Sequence, residues 1–205
     1  TTGDGGMICL NNKNKFNKLK SLSFHGWNKD PWQRHQKSFG KKNYYTNHWN
    51  YEIVNLGYKY NMNDLMAAIG IVQLKKINIL NKKRSNILKK YLSGIKNCKY
   101  IKPVYPYALK NSSYWLFSVK TKYRDELINF MKLKNISTAV HFVPLPLNKI
   151  YKKYNKNLKN AMKVWKKIVS LPFFPDLENK KINYIINCLN QFDKKINNFK
   201  NYENI

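Results

Sequence analysis

GYKYNMNDLMAAIGIVQLKK, residues 57–76, carries the start of the strongest helix in the chain. Asn63 stands where an N-cap belongs, because its side chain can accept a backbone N–H that the first turn leaves unpaired. Asp64 favours the positive end of the helix dipole. Leu65, Ile69 and Val72 recur at helical spacing, and so do Met66, Gln73, Ile77, Leu80, Arg84, Ile87 and Tyr91. Gly94 is a natural stop. A helix over residues 63–93 would be about 45 Å long at a rise of 1.5 Å per residue. That length predicts either a kink near residues 78–81 or a helix that joins two domains.

Upstream, the chain opens on TTGDGG, residues 1–6. Gly5-Gly6 followed by MICL predicts a turn entering a short buried strand. FNKLKSLSF, residues 16–24, predicts a short amphipathic helix. Residues 25–55 are loop-like, with Gly26, Pro31 and Gly40 as breakers, yet they hold Trp27, Trp32, Tyr44, Tyr45, Trp49 and Tyr51. A loop this long is usually functional or disordered, and its aromatics argue that it packs on something, such as a second subunit.

Downstream the pattern becomes α/β. YWLFSVK (114–120) predicts a strand and RDELINFMKLK (124–134) a helix, with Asn135 where a left-handed cap is wanted. STAVHFV (137–143) predicts a second strand, stopped by Pro144 and Pro146. A short helix around residues 147–154 and another around 161–168 follow. Pro172 and Pro175 punctuate SLPFFPDL. The last helix carries Ile182, Ile185, Ile186, Leu189, Phe192 and Ile196 on one face, and its tail after Lys194 is expected to fray.

Composition bounds the function classes. In 205 residues, 43% hydrophobic and 15% aromatic, there is material for a real core. No apolar run is long enough to span a bilayer, which speaks against membrane insertion. Cys9, Cys98 and Cys188 form no CxxC pair, so neither a metal site nor a disulfide framework is expected, and a reducing, cytoplasmic setting is. The formal charge is +29. A nucleic-acid partner is one reading of it. Against that, only Arg34, Arg84 and Arg124 of the 39 basic residues are arginine, and arginine is the usual bidentate reader of bases and phosphates. Lys75, Lys76, Lys82, Lys83, Lys89 and Lys90 fall where solvated faces belong. No specific nucleic-acid partner is expected, although a basic surface can attract an anionic small substrate.

Five collinear stretches carry a resemblance: TTGDGGMI, SFHGW, GYKYNMNDLMAAIGIVQLKK, STAVHFVPLPL and SLPFFPDL. In this order and spacing they resemble the sugar-nucleotide aminotransferases of the DegT/StrS family, from Thr1 nearly to Phe192. The resemblance implies an α/β fold, the C-terminal part of a fold type I PLP-dependent transferase. Residues 1–78 would be the end of the large domain with a dimer-interface loop. Residues 79–205 would be the small α/β domain, with the long helix connecting the two. It implies pyridoxal 5'-phosphate as cofactor, L-glutamate as amino donor, a nucleotide-linked keto sugar as acceptor, and a homodimer with shared active sites. The family's Schiff-base lysine precedes the TTGDGG-like turn, so the resemblance places it a few residues before Thr1. The Asp that pairs with the pyridinium nitrogen lies further upstream still. No catalytic residue is therefore assigned within the chain, and residues 1–205 alone are expected to be inactive.

The resemblance also assigns site residues. Asn61 would reach across the dimer to the cofactor phosphate, helped by the helix N-terminus at Asn63; the plainer reading is that Asn61 shapes a turn. Lys59 and Tyr58, beside it, would offer charge and contact to a phosphate or the substrate diphosphate, although Lys59 reads equally as one more surface lysine. His141 and Phe142 would lie at the sugar, where an imidazole can donate to a sugar oxygen or move a proton; the alternative is a half-buried structural histidine. Trp27, Trp32 and the residues around His25 would line the nucleotide entrance or simply pack an interface loop. Tyr114 and Trp115 stand near a point where relatives often carry a His, which leaves their role open. Gly5 and Gly6 would allow a tight backbone path beside the cofactor or form a plain turn. Two other function classes remain, a non-catalytic remnant or interaction subunit and a basic nucleic-acid-binding protein.

Overall fold

A computed structural model describes residues 1–29, 51–107, 112–154 and 158–202. Trp32, Tyr44, Tyr45 and Trp49 lie outside the described residues. The chain forms two compact units, Thr1–Lys76 and Ile77–Ile205.

In the first unit, α1 (Lys13–Leu22) starts at Asn12, whose side chain accepts the Lys15 N–H at 2.9 Å. The MICL strand is not formed. Met7 and Ile8 are 86% and 71% exposed, and no neighbouring strand pairs with them among the described residues. A strand needs a ladder partner, and apolar residues alone do not supply one.

The second helix, α2 (Asp64–Gly94), runs unbroken through residues 78–81 and has residues in both units. Asn63 caps it, accepting the Met66 N–H at 2.9 Å. Of the two outcomes its length predicts, the uninterrupted helix is the one observed.

The second unit holds a three-stranded antiparallel sheet in the order β1 (Lys102–Pro103), β2 (Phe117–Lys120), β3 (Ile168–Leu171). Phe117 pairs with Leu171 and Val119 with Val169, and these four are buried on one face. Ser118 pairs with Ser170 and Lys120 with Ile168 on the other. Against the buried face pack Ile87, Leu88 and Tyr91 of α2 and Leu127 and Met131 of α3 (Arg124–Leu133). Ile182, Ile185, Leu189 and Phe192 of α5 (Asn179–Tyr202) complete the cluster. Tyr91 stacks on Phe117 at 4.6 Å and donates its hydroxyl to the Pro172 carbonyl at 2.9 Å. Burial pushes the Tyr91 phenol well above its ordinary range.

Several local expectations are corrected. The strand from YWLFSVK begins only at Phe117. STAVHFV forms a single bridge, Ala139 to Ser170; Pro172, which would face Ser137 in the next hydrogen-bonded pair, has no N–H to extend the ladder. Residues 145–154 are 3₁₀ turns, Leu145–Leu147 and Lys149–Tyr154. The next helix, α4 (Lys159–Trp165), stops before Ile168, which opens β3. There the β-branched Ile168 and Val169 find β2 as a partner. The final helix continues past Lys194 to Tyr202. Asn135 does adopt the left-handed conformation, with φ 56°.

Candidate functional site

The candidate residues fall into two groups, one in each unit. In the first unit, SFHGW and GYKYN come together although some thirty residues separate them in the chain. Tyr58 N–H donates to the Leu22 carbonyl at 2.8 Å, Tyr60 N–H to Ser23 at 2.8 Å, and His25 N–H to Tyr58 at 3.0 Å. Gly26 and Gly57 make this possible. A Cβ on Gly26 would lie 1.7 Å from the Asn55 carbonyl oxygen, and one on Gly57 would lie 2.2 Å from the Gly26 nitrogen. Gly26 also has φ 75°, a conformation glycine adopts without strain.

This backbone pairing sets the side chains. Lys59 bridges to Phe24 in the backbone and holds its ammonium 4.7 Å from that ring's centre. Tyr58 stacks on Tyr60 at 5.3 Å and is 59% exposed. Asn61 follows them, exposed, two residues before the cap of α2. Trp27 lies over Tyr51 at 4.0 Å and beside His25 at 5.3 Å. The TTGDGG turn belongs to the same unit. Gly3 and Gly5 have φ 87° and 140°, and the Thr2 methyl would lie 3.0 Å from a Cβ on Gly70 of α2.

In the second unit, His141 Nδ1 is 3.0 Å from Ser170 Oγ. Ser170 Oγ in turn lies 2.9 Å from Ser118 Oγ. Ala139 and Ser170 exchange both backbone hydrogen bonds, at 3.0 and 2.7 Å, which holds the His141 segment to the edge of β3. Ser170 is only 5% exposed, so its hydroxyl is a fixed partner for the imidazole. Trp115 and Phe142 make edge contacts with the His141 ring at 6.1 and 4.9 Å, and both stand largely in solvent. Engaging Nδ1 leaves Nε2 as the nitrogen available to a ligand. Sequence reasoning passed over Ser118 and Ser170, although Ser170 opens SLPFFPDL and Ser118 sits inside the strand pattern.

The family's sequence model matches residues 1–190 and describes the DegT/DnrJ/EryC1/StrS aminotransferase family. This chain belongs to that family. It is 36% identical to the uncharacterized protein MJ1066 of Methanocaldococcus jannaschii, over 92% of this chain and 50% of that protein. It is 28% identical to the spore coat polysaccharide biosynthesis protein SpsC of Bacillus subtilis, over 94% of this chain and 50% of SpsC. Among solved structures, the PMP form of Spr1654 from Streptococcus pneumoniae superposes with a TM-score of 0.75 at 26% identity, covering 91% of this chain and 47% of Spr1654. That protein has also been solved in a PLP form. The family member's fold is that of the fold type I PLP-dependent transferases. It spans about half the length of the curated relatives it matches.

The exposed donors of GYKYN are of the kind a cofactor phosphate accepts. The exposed Asn61 amide and the Lys59 ammonium suit a phosphate group. The start of α2 suits it less, because Asn63 already accepts the Met66 N–H and Asp64 places a carboxylate in the first turn. Cys98 is no nucleophile: burial, with the Asp193 carboxylate nearby, pushes its thiol up to about 11, against a smaller opposing effect of Lys102.

Proposed function

We propose that residues 1–205 are the C-terminal portion of a sugar-nucleotide aminotransferase. The whole enzyme would move an amino group from L-glutamate to a nucleotide-linked keto sugar, in the cytoplasm, as a homodimer with shared sites. The match of the aminotransferase family over residues 1–190 carries this reading. The exposed apolar side chains of the first unit agree with further protein covering it, among them Leu56 at 89% and Leu65 at 79%.

Pyridoxal phosphate, when bound, supplies the electron sink that amino transfer requires. The chain's own residues bind and orient around it. Asn61 donates its amide N–H across the dimer to the cofactor phosphate of the other subunit, and Lys59 adds positive charge beside it. Tyr58 contacts the substrate diphosphate. His141, held at Nδ1 by Ser170, uses Nε2 to hydrogen-bond a sugar hydroxyl or to move a proton at that atom. Phe142 contacts the sugar from beside the imidazole and excludes water there. The Schiff-base lysine is the part this reading places ahead of Thr1.

The test compares residues 1–205 with a chain extended upstream through that lysine. With pyridoxal phosphate, residues 1–205 should show no cofactor absorbance and no borohydride-trapped adduct, and the extended chain should show both. A stoichiometric trapped adduct on residues 1–205 overturns the assignment. In the extended chain, Asn61→Ala should weaken cofactor retention about tenfold, the loss of one charge-assisted hydrogen bond. Unchanged retention removes Asn61 from the phosphate site. An extended chain that binds cofactor but aminates no nucleotide-linked keto sugar favours the non-catalytic alternative.

A further inference from the structure

Three chain segments meet at one end of the small sheet. Lys102 opens β1, Lys120 closes β2, and Lys167 immediately precedes β3. The Thr121 N–H donates to the Lys167 carbonyl at 2.9 Å and draws the last two segments together. Between them lies a cleft of about 360 Å³ lined by Lys99, Lys120, Lys122 and Lys167. Tyr100 and Tyr123, in edge contact at 5.9 Å, complete its wall with Thr121.

No lining residue is acidic. The nearest carboxylates are already engaged, Asp193 by the backbone of the cleft's own wall. Asp193 is buried and accepts the backbone N–H groups of Lys99, Tyr100 and Ile101 at 2.8, 2.7 and 3.2 Å. Asp125 is held by Arg124 at 2.7 Å. Glu126, in the first turn of α3, lines no part of the cleft. Lys120 pairs with Lys102 across the β1–β2 ladder, and the Lys102 ammonium donates to the Cys98 carbonyl at 2.5 Å, so Lys102 adds positive charge beside the cleft without lining it. Four lysines lining one concavity raise its positive potential, while the Lys99 ammonium also donates to Asn197 Oδ1 at 3.4 Å. Lysine ammoniums serve phosphate as point charges, and the volume suits a small ligand.

We infer that this cleft binds a small phosphorylated anion of the pyrophosphate or nucleoside-diphosphate class, at a place separate from His141. The phosphates sit among Lys99, Lys120, Lys122 and Lys167, and the two tyrosines border them. The inference does not depend on the proposed amino transfer and survives its failure.

The test is an NMR titration of residues 1–205 with inorganic phosphate, pyrophosphate and ADP at physiological ionic strength. Saturable amide shifts concentrated at residues 99–100, 120–123 and 167 are expected, with pyrophosphate and ADP stronger than phosphate. A further gain for ADP over pyrophosphate identifies a nucleoside contact; equal binding leaves the phosphates as the recognised group, and both agree with the site. The double variant Lys120→Glu/Lys167→Glu should lose about tenfold or more in affinity. Lys75→Glu/Lys180→Glu, with the same change in net charge, should lose less than about twofold. Equal losses in the two variants, or shifts spread over lysines throughout the chain, reduce the effect to general surface charge and overturn the inference. Absence of shifts at the cleft overturns it too, leaving lysines that only protect a sheet edge. The titration of the unsubstituted chain decides the matter even if a variant does not fold.

Discussion

The two units carry apolar side chains at regular spacing, yet only one closes over them. Every buried hydrophobic residue among those described lies between Ile87 and Phe192, in the second unit. In the first, Met7, Ile8, Ile53, Leu56, Leu65 and Leu74 stand mostly in solvent. A face is buried only when a complementary face comes within reach. The second unit contains its own complement, since α2, α3 and α5 each find the sheet or one another. The first is held instead by backbone pairing between SFHGW and GYKYN, by the Gly26–Gly57 approach and by aromatic contacts. Its order rests on backbone hydrogen bonds and partly exposed rings where that of the second rests on a buried core.

One helix allows this contrast to be tested with a single kind of substitution. Leu88 is 2% exposed and Leu65 is 79% exposed, both on α2. Leu88→Ala should lower the unfolding free energy by about 3 kcal/mol. Leu65→Ala should change it by less than about 0.5 kcal/mol. Urea denaturation of the two variants reads both numbers, and similar losses would mean that the units do not differ as described.

A smaller effect belongs to Asp193. Its buried carboxylate satisfies three consecutive N–H groups before β1, a demand no side chain in the first unit meets among the described residues. Asp193→Asn exchanges one acceptor oxygen for a donor and should cost about 2 kcal/mol. A midpoint within error of the parent protein would show that the loop finds other partners.

The smallest effect concerns pH. The folded-state value for Cys98 is raised to about 11, so the unfolded chain releases that proton first as pH rises. The unfolded state then binds fewer protons than the folded one, and stability falls with pH. This contribution is fully present below about pH 8.5, the ordinary range of a free thiol, and is lost as pH climbs toward the folded value. Cys98→Ala should flatten the decline in thermal midpoint across that window, and an unchanged slope would assign it to other groups.

What could be read from the residues follows the range of the forces involved. Asn63 and Asn135 act within one turn of their own position, and each behaves as its chemistry dictates. Gly94 ends the helix without the left-handed backbone; it is needed instead because a Cβ there would lie 2.6 Å from the Ile186 side chain. Strand pairing is not local. MICL has the composition of a strand without a partner among the described residues, and residues 137–143 contribute one bridge where a full strand is expected. Ile168 reads as the end of a helix until β2 is placed beside it. The same limit governs the candidate site. Nothing near His141 in the chain announces that Ser170, 29 residues on, will hold its Nδ1, or that Ser118 stands behind Ser170. The necessity of Gly26 is equally invisible until the Asn55 carbonyl is seen 1.7 Å from where its Cβ would be.

The unbroken course of α2 has a dynamic consequence. Its first turns display Leu65, Ile69 and Val72 to solvent, whereas Ile87, Leu88 and Tyr91 near its end are sealed in the core. Helical hydrogen bonds without packing are only marginally stable in water. Amide protons in the opening turns should therefore exchange with deuterium through local fraying, and those around Tyr91 only when the whole second unit opens. Exchange rates read in order along this helix would trace a gradient of protection, with its steepest step marking where packing takes over from the helix's own hydrogen bonds.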